Sequence, residues 1–114
     1  MLSNATRKRR LASEVTACRS IPSKALGLMF HRKLKDEAFL FLFKGKQRVS
    51  LHMLFVFFPI DVLFLDEKKR VVELKERLLP FAFYSPKKAA CTVIELPAGT
   101  VSRTKTRIGD KISF

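Results

Sequence analysis

The hydrophobic pattern is organised around one long apolar passage, which runs from His52 to Asp66. Pro59 interrupts this passage, and because proline cannot donate to a strand ladder, the passage cannot be one continuous interior strand. We therefore predict one piece that ends near Phe57 and a new strand over residues 60–65. Side chains alternate along a strand, so both faces of this strand are apolar except for the carboxylate of Asp61.

Shorter apolar runs predict the other elements. Residues 37–43 are apolar on both alternating faces, which is typical of a strand covered on both sides. Ser20 can cap a helix and Pro22 suits its first turn, so we predict one short helix over residues 20–29. Further strands are predicted at residues 10–18, 48–54, 70–78 and 91–96, and at the end of segment 108–114, with turns at 44–47 and 66–69.

These elements indicate an α+β, β-rich fold: a twisted, mainly antiparallel sheet, partly barrel-like, with one short N-terminal helix. In the strand over residues 70–78, alternation predicts one covered face and one solvent face. Val72, Leu74 and Leu78 are assigned to the covered face. Glu73, Lys75 and Arg77 are assigned to the solvent face.

The length of 114 residues fits one domain. We expect residues 1–10 to be a basic flexible tail and residues 11–114 to be a single compact β-rich domain. The longest uncharged run near the phenylalanines, residues 49–60, is too short to span a bilayer. Cys18 and Cys91 form no CxxC pair, so we expect reduced thiols and a cytoplasmic location.

The formal net charge of +13 attracts nucleic acid or an acidic partner. Arg103, Lys105 and Arg107 alternate with threonines, so on an extended segment their cations would point one way, as phosphate tracking requires. The alternative interpretation is solvated loops and edge strands, where such residues deter aggregation. The aromatic residues that could stack on bases are Phe81, Phe83 and Tyr84. The candidate nucleic-acid-binding residues are Arg7, Lys8, Arg9, Arg10, Arg103, Lys105 and Arg107.

A second candidate site consists of ionisable residues within apolar surroundings. Asp61 and Glu95 lie between apolar neighbours, and a carboxylate there must be hydrogen-bonded, paired or neutralised. Each is either a site residue or a structural carboxylate that binds backbone N–H groups. His52 is either a ligand-binding residue or a satisfied core histidine. No two of the candidate metal ligands have the spacing of a helix or knuckle site, so no metal or cofactor is predicted; these candidates are His31, His52, Cys18, Cys91, Asp61 and Glu95.

Several segments together resemble a known family, the domain of unknown function 192 family of archaea and bacteria. The resemblance rests on Gly27-Leu28-Met29, on the segment from Phe58 to Asp66, on the segment from Val93 to Gly99, and on Gly109-Asp110. It implies a compact β-rich domain with one short helix, and it implies no activity. The positions that it singles out are Gly27, His52, Asp61, Asp66, Glu95, Gly99, Gly109 and Asp110.

The leading hypothesis for function is a non-enzymatic ligand- or partner-binding domain. Its candidate ligand-binding residues are His52, Asp61 and Glu95, with Lys24 as a counter-charge. One alternative is weak, sequence-nonspecific nucleic-acid binding through the basic clusters. Another is an enzyme that uses Asp61 or Glu95 as its acid or base.

Overall fold

The structure is a computed structural model that describes residues 1–18, 35–53 and 56–114. In this part of the chain, strands and one short helix follow one another in the order below. The strands are β1 (Leu2–Asn4), β2 (Arg9–Ala12), β3 (Glu14–Cys18), β4 (Glu37–Gln47), β5 (Leu51–His52), β6 (Ile60–Leu65), β7 (Val71–Leu78), β8 (Phe83–Tyr84), β9 (Ala90–Pro97) and β10 (Ile112–Ser113), and the helix α1 (Thr100–Thr104) lies between β9 and β10.

A five-stranded sheet forms the centre of the fold, in the order β3-β4-β9-β6-β7. All neighbouring pairs are antiparallel except β3 and β4, which are parallel. The strand predicted over residues 60–65 is confirmed as β6, and every residue in it is buried. The described sheet is open, with β3 and β7 at its edges, so the prediction of a partly barrel-like sheet is wrong for this part of the chain.

Apolar cores cover both faces of this sheet. On one face, Phe39 and Phe41 of β4 join Phe64 of β6, and residues of the β5 and β8 segments pack over them. We call this face the aromatic core. On the other face, Leu63 and Leu65 of β6 pack against the small sheet β10-β1-β2 and against α1. We call this face the aliphatic core. The alternation predicted for β6 therefore divides its side chains correctly between two buried layers.

The N-terminal segment is built into the fold. Strand β1 lies between β10 and β2 and pairs antiparallel with both. The side chain of Leu2 is fully buried, as is that of Asn4, which donates to Thr106 Oγ1 and Asp110 Oδ2 at 3.0 Å each. The prediction of a flexible tail over residues 1–10 is therefore wrong, because an apolar and a polar side chain near the start of the chain both have partners about a hundred residues away.

The described helix also differs from the prediction. Helix α1 lies at residues 100–104, whereas the predicted helix over residues 20–29 lies outside the described residues. Because α1 ends at Thr104 and Lys105 adopts a left-handed φ of 58°, the predicted extended row of Arg103, Lys105 and Arg107 is wrong. The intervening threonines are buried, and their hydroxyl groups hydrogen-bond each other at 2.7 Å.

Other boundaries differ by a few residues. The predicted turn over residues 44–47 is part of β4, which bends at Gly45 with a φ of 75°. The predicted strand over residues 48–54 is reduced to Leu51–His52 within the described residues. The segment over residues 10–18 contains two strands, since β2 and β3 belong to different sheets.

The burial of Leu2 leads to a stability prediction. Leu2→Ala removes a fully buried side chain and should lower the free energy of unfolding by about 3 kcal/mol. The measurement is urea denaturation. The matched control is Ile108→Ala, because Ile108 is 66% exposed and its loss should change stability by less than about 0.5 kcal/mol. Equal stabilities of the two variants would contradict the packing of β1.

Candidate functional site

Asp61 is a fully buried carboxylate that binds three backbone N–H groups. Its Oδ1 accepts from the N–H of Arg77 at 3.0 Å, and its Oδ2 accepts from Gly99 at 3.1 Å and Val101 at 2.9 Å. Arg77 lies where the pairing of β6 and β7 shifts register, and it has a positive φ of 51°. Asp61 therefore ties the irregular end of β7 to the turn between β9 and α1.

Glu95 lies on the other side of the same sheet. It pairs with Phe39 of β4 and Val62 of β6, so its side chain projects from the face of the aromatic core. Glu95 is half-buried as a residue, and no hydrogen bond joins its carboxyl group to another described residue. Desolvation by its apolar neighbours raises its pKa to about 8, since burial disfavours the charged form.

The structure does not assemble the predicted ligand site from these residues. Asp61 faces the aliphatic core and Glu95 faces the aromatic core, so the sheet separates their carboxyl groups. His52 is exposed on β5, where it pairs with Phe83 of β8. Lys24, the predicted counter-charge, lies outside the described residues.

Sequence reasoning missed a polar cluster around Glu73. Glu73 is 9% exposed, and its Oε2 accepts a short hydrogen bond from the hydroxyl of Tyr84. Its Oε1 accepts from the backbone N–H groups of Lys87 and Lys88 at 2.9 Å each. Burial, together with the Glu73 carboxylate, raises the pKa of Tyr84 to about 12. The alternation along β7 predicted that Glu73 faces solvent, and this prediction is wrong. The β5–β8 pair covers that face, and no pattern within β7 indicates this pairing.

Four large apolar side chains are exposed on β8 and on the segments that precede β6 and β8. Phe57, Leu79, Phe81 and Phe83 are 61%, 55%, 47% and 72% exposed, respectively. The rings of Phe57 and Phe81 meet edge to face, with centroids 5.5 Å apart. We call these four residues the aromatic patch. Of the three aromatic residues predicted to be available for stacking, Phe81 and Phe83 are exposed, whereas Tyr84 packs on Phe64.

The backbone beneath the aromatic patch is held in place. Met53 N–H donates to Ala82 O at 2.8 Å, and Phe81 N–H donates to Met53 O at 2.8 Å. Phe81 has a positive φ of 62°, which is uncommon for a residue other than glycine. The exposed rings are therefore displayed by a specified, strained turn.

Basic residues collect at one end of the five-stranded sheet. Gln47 of β4 pairs with Ala90 of β9, and Leu65 of β6 pairs with Val71 of β7, so segments 44–50, 66–70 and 85–89 lie at the same end. These segments hold eight Lys or Arg residues and two acidic residues. We call their cationic residues the basic end: Lys44, Lys46, Arg48, Lys68, Lys69, Arg70, Lys87 and Lys88.

Several of the predicted nucleic-acid-binding residues have structural partners. Arg7 pairs with Asp110 at 3.0 Å, Arg10 approaches Asp36 at 3.6 Å, and the Arg103 guanidinium donates to Arg10 O at 3.3 Å. The other four are exposed: Lys8, Arg9, Lys105 and Arg107. The structure does not bring these seven residues into one row.

No group of three or more His, Cys, Asp or Glu residues in ranges 1–18, 35–53 and 56–114 could hold a metal ion. In the same ranges, no helix is long and apolar enough to cross a membrane.

Comparisons with known proteins agree with the fold. A family model described as "Uncharacterized ACR" matches residues 3–114. A UPF0127 protein of Pyrococcus horikoshii is 34% identical over 114 residues, which cover 100% of this chain and 98% of that protein.

Two crystal structures are also similar. One is a protein of Sinorhizobium meliloti 1021, provisionally described as a transcription regulator, with a TM-score of 0.82 and 27% identity over 87% of this chain and 79% of that one. The other is a protein of unknown function from Novosphingobium aromaticivorans, with a TM-score of 0.88 and 23% identity over 97% of this chain and 81% of that one. The second likeness shows the fold alone.

The three hydrogen bonds of Asp61 predict a structural effect of substitution. Asp61→Asn replaces one acceptor oxygen by an amide that cannot accept, so it leaves buried backbone donors unpaired. It should lower the free energy of unfolding by about 3 kcal/mol, measured by urea denaturation. Glu76→Gln is the matched control, because Glu76 is exposed, and it should change stability by less than about 0.5 kcal/mol. A stable Asp61→Asn variant would contradict the structural role.

Glu95 predicts a dependence of stability on pH. The unfolded carboxyl group ionises near its ordinary value of 4.5, whereas the folded group holds its proton to about 8. The unfolded state therefore binds fewer protons in this window, so stability should fall as pH rises through it. Glu95→Gln should remove this fall and raise stability above the window by an amount on the order of a few kcal/mol. Urea denaturation on either side of the window measures the effect, and an unchanged pH profile in the variant would contradict it.

Proposed function

The chain belongs to the domain of unknown function 192 family, which carries no assigned activity, and we propose that it is a non-enzymatic binding domain whose contact surface is the aromatic patch. The observation that carries this proposal is the exposure of four large apolar side chains in one region: Phe57, Leu79, Phe81 and Phe83. Large apolar side chains exposed on neighbouring segments are a mark of interaction sites.

The exposed apolar area of the aromatic patch favours burial by a partner. Each exposed phenyl ring leaves surface in water that would gain about 25 cal/mol for every Å² buried. Phe83 is 72% exposed, although Tyr84 beside it is turned inward against Phe64. Strand β8 therefore buries one of its two aromatic side chains and leaves the other in water. A partner that covers Phe83 would bury the apolar area that is still exposed.

Binding has more support than the enzyme alternative. The carboxyl groups of Asp61 and Glu95 lie on opposite sides of one sheet. All three bonds described for Asp61 are to backbone N–H groups, so this carboxylate is engaged in holding the chain together. We place the domain in the cytosol, a proposal that is supported by Cys18 and Cys91, neither of which forms a disulfide.

A photo-crosslinking experiment tests the aromatic patch. A benzoyl-phenylalanine is placed at position 83 and, in a second variant, at position 108, which is also exposed but lies outside the patch. The chains are expressed in cells and irradiated. We expect a discrete crosslinked species from position 83 and not from position 108, because a partner that covers the patch holds position 83 within reach.

Two results would contradict the proposed function. Equal crosslinking from both positions would indicate collision rather than binding. No crosslinking from position 83, with a folded chain in thermal denaturation, would indicate that the patch has no partner in that cell.

A further inference from the structure

We propose that the occupant of the aromatic patch is a single-stranded nucleic acid, which stacks a base on Phe83 while its phosphates lie over the basic end. This inference rests on the proposed function, because it names the chemistry of the partner at the same surface. It differs from the predicted site at Arg103, Lys105 and Arg107, which lies elsewhere in the fold.

Of the aromatic patch, Phe83 is the residue that the β5–β8 pair connects to the basic end. His52 pairs with Phe83, and the chain on either side of this pair runs into the basic end. There the Arg48 guanidinium donates from Nε and from one terminal nitrogen to Pro86 O, each at 3.3 Å. Pro86 is three residues from Phe83, which is about 10 Å of extended chain. One bound strand can therefore contact a ring and a cation at once.

Nearby acidic groups already have partners. Glu67 pairs with Lys46 at 3.2 Å, and Asp66 accepts from the backbone N–H groups of Lys68 and Arg70. Glu73 is buried and accepts from Tyr84 and from two backbone N–H groups. Among the described residues, Lys46 is the one member of the basic end that pairs with an acidic side chain, which leaves Lys44, Arg48, Lys68, Lys69, Arg70, Lys87 and Lys88. Their field favours a polyanion.

The phenyl rings favour unpaired bases. A phenyl group has no hydrogen-bonding atom with which to read a base edge, but every base offers a face on which it can stack. Phe83 is 72% exposed and has no ring contact among the described residues. A face of its phenyl ring is therefore available for stacking with a base. In a duplex the base faces are already stacked, so these rings would contact only the outside of the helix.

Charge argues against a second copy of this chain as the occupant. A symmetric dimer through the aromatic patch would use the same surface on both subunits. It would bring two basic ends together in a molecule that already carries a net charge of +13. That repulsion is absent when the partner is an anionic strand.

Fluorescence anisotropy tests the inference with three probes: an unstructured labelled DNA strand, the same sequence as RNA, and the DNA duplex. We expect the full chain to bind at least one single strand more tightly than the duplex. Phe83→Ser should weaken single-strand binding between about five- and 150-fold, the range for the loss of one stacked base. Its effect on duplex binding should be small.

A second pair of variants tests the phosphate contacts. Replacing Lys87 and Lys88 by alanine should reduce the slope of log affinity against log salt by about 1.4, since each phosphate contact on a single strand contributes about 0.7. The matched control replaces Lys105 and Arg107 by alanine, with the same change in net charge at exposed positions outside this surface. It should leave the slope nearly unchanged. Thermal denaturation confirms that each variant is folded.

Three results would overturn the inference: no affinity for either strand, equal affinity for strand and duplex, or a Phe83→Ser variant that binds like the parent chain. An equal loss of slope in the control variant would also overturn it. These failures are distinguishable from failure of the proposed function. If the crosslinked species from position 83 is degraded by protease and resists nuclease, the aromatic patch binds a protein, and only the nucleic-acid inference falls.

Discussion

The Asp61 carboxylate connects β6 with the irregular end of β7 and with the turn between β9 and α1. It is fully buried within β6 and accepts hydrogen bonds from Arg77, Gly99 and Val101. A buried carboxylate needs such partners, because an unpaired one would be strongly destabilising. The same bonds fix the irregular end of β7 and the turn before α1. The packing of α1 on the aliphatic core therefore depends on this group.

The separation of the two cores explains why the proposed binding surface lies where it does. The aliphatic core is closed by β1, β2, β10 and α1, and its N-terminal strand is further held by the bonds from Asn4 to Thr106 and Asp110. The aromatic core is covered among the described residues by the short β5–β8 pair and its loops. A cover this short exposes its outer face, and that face carries Phe83 and His52.

Local patterns predicted the fold well where alternation decides it, and poorly where distant segments meet. The bounds and both faces of β6 follow from the apolar run and from Pro59. Asn4 and Asp110 gave no local signal of their contact, so a flexible tail was predicted where β1 lies. Glu73 was assigned to solvent because alternation cannot show that β8 covers that face. The predicted extended row near Arg103 did not take account of Thr104 and Thr106, which are buried in α1 and in the turn that follows it.

For the candidate site, the three hydrogen bonds of Asp61 support the structural alternative. That Asp61 and Glu95 lie on opposite faces of the sheet could be established only from the strand register.

Several of the positions that carry the family resemblance serve turns in this chain. Asp66 accepts from the N–H groups of Lys68 and Arg70, at 2.8 and 3.0 Å, and so closes the β6–β7 hairpin. Asp110 accepts from the N–H of Arg107 at 2.9 Å, and Gly109 before it has a φ of 96°. Together with Asp61, these residues specify the fold rather than a binding surface. The phenylalanines of the aromatic patch and the cations of the basic end lie outside this set. The binding that we propose at that surface therefore rests on this chain's own residues, and membership of the family does not imply it.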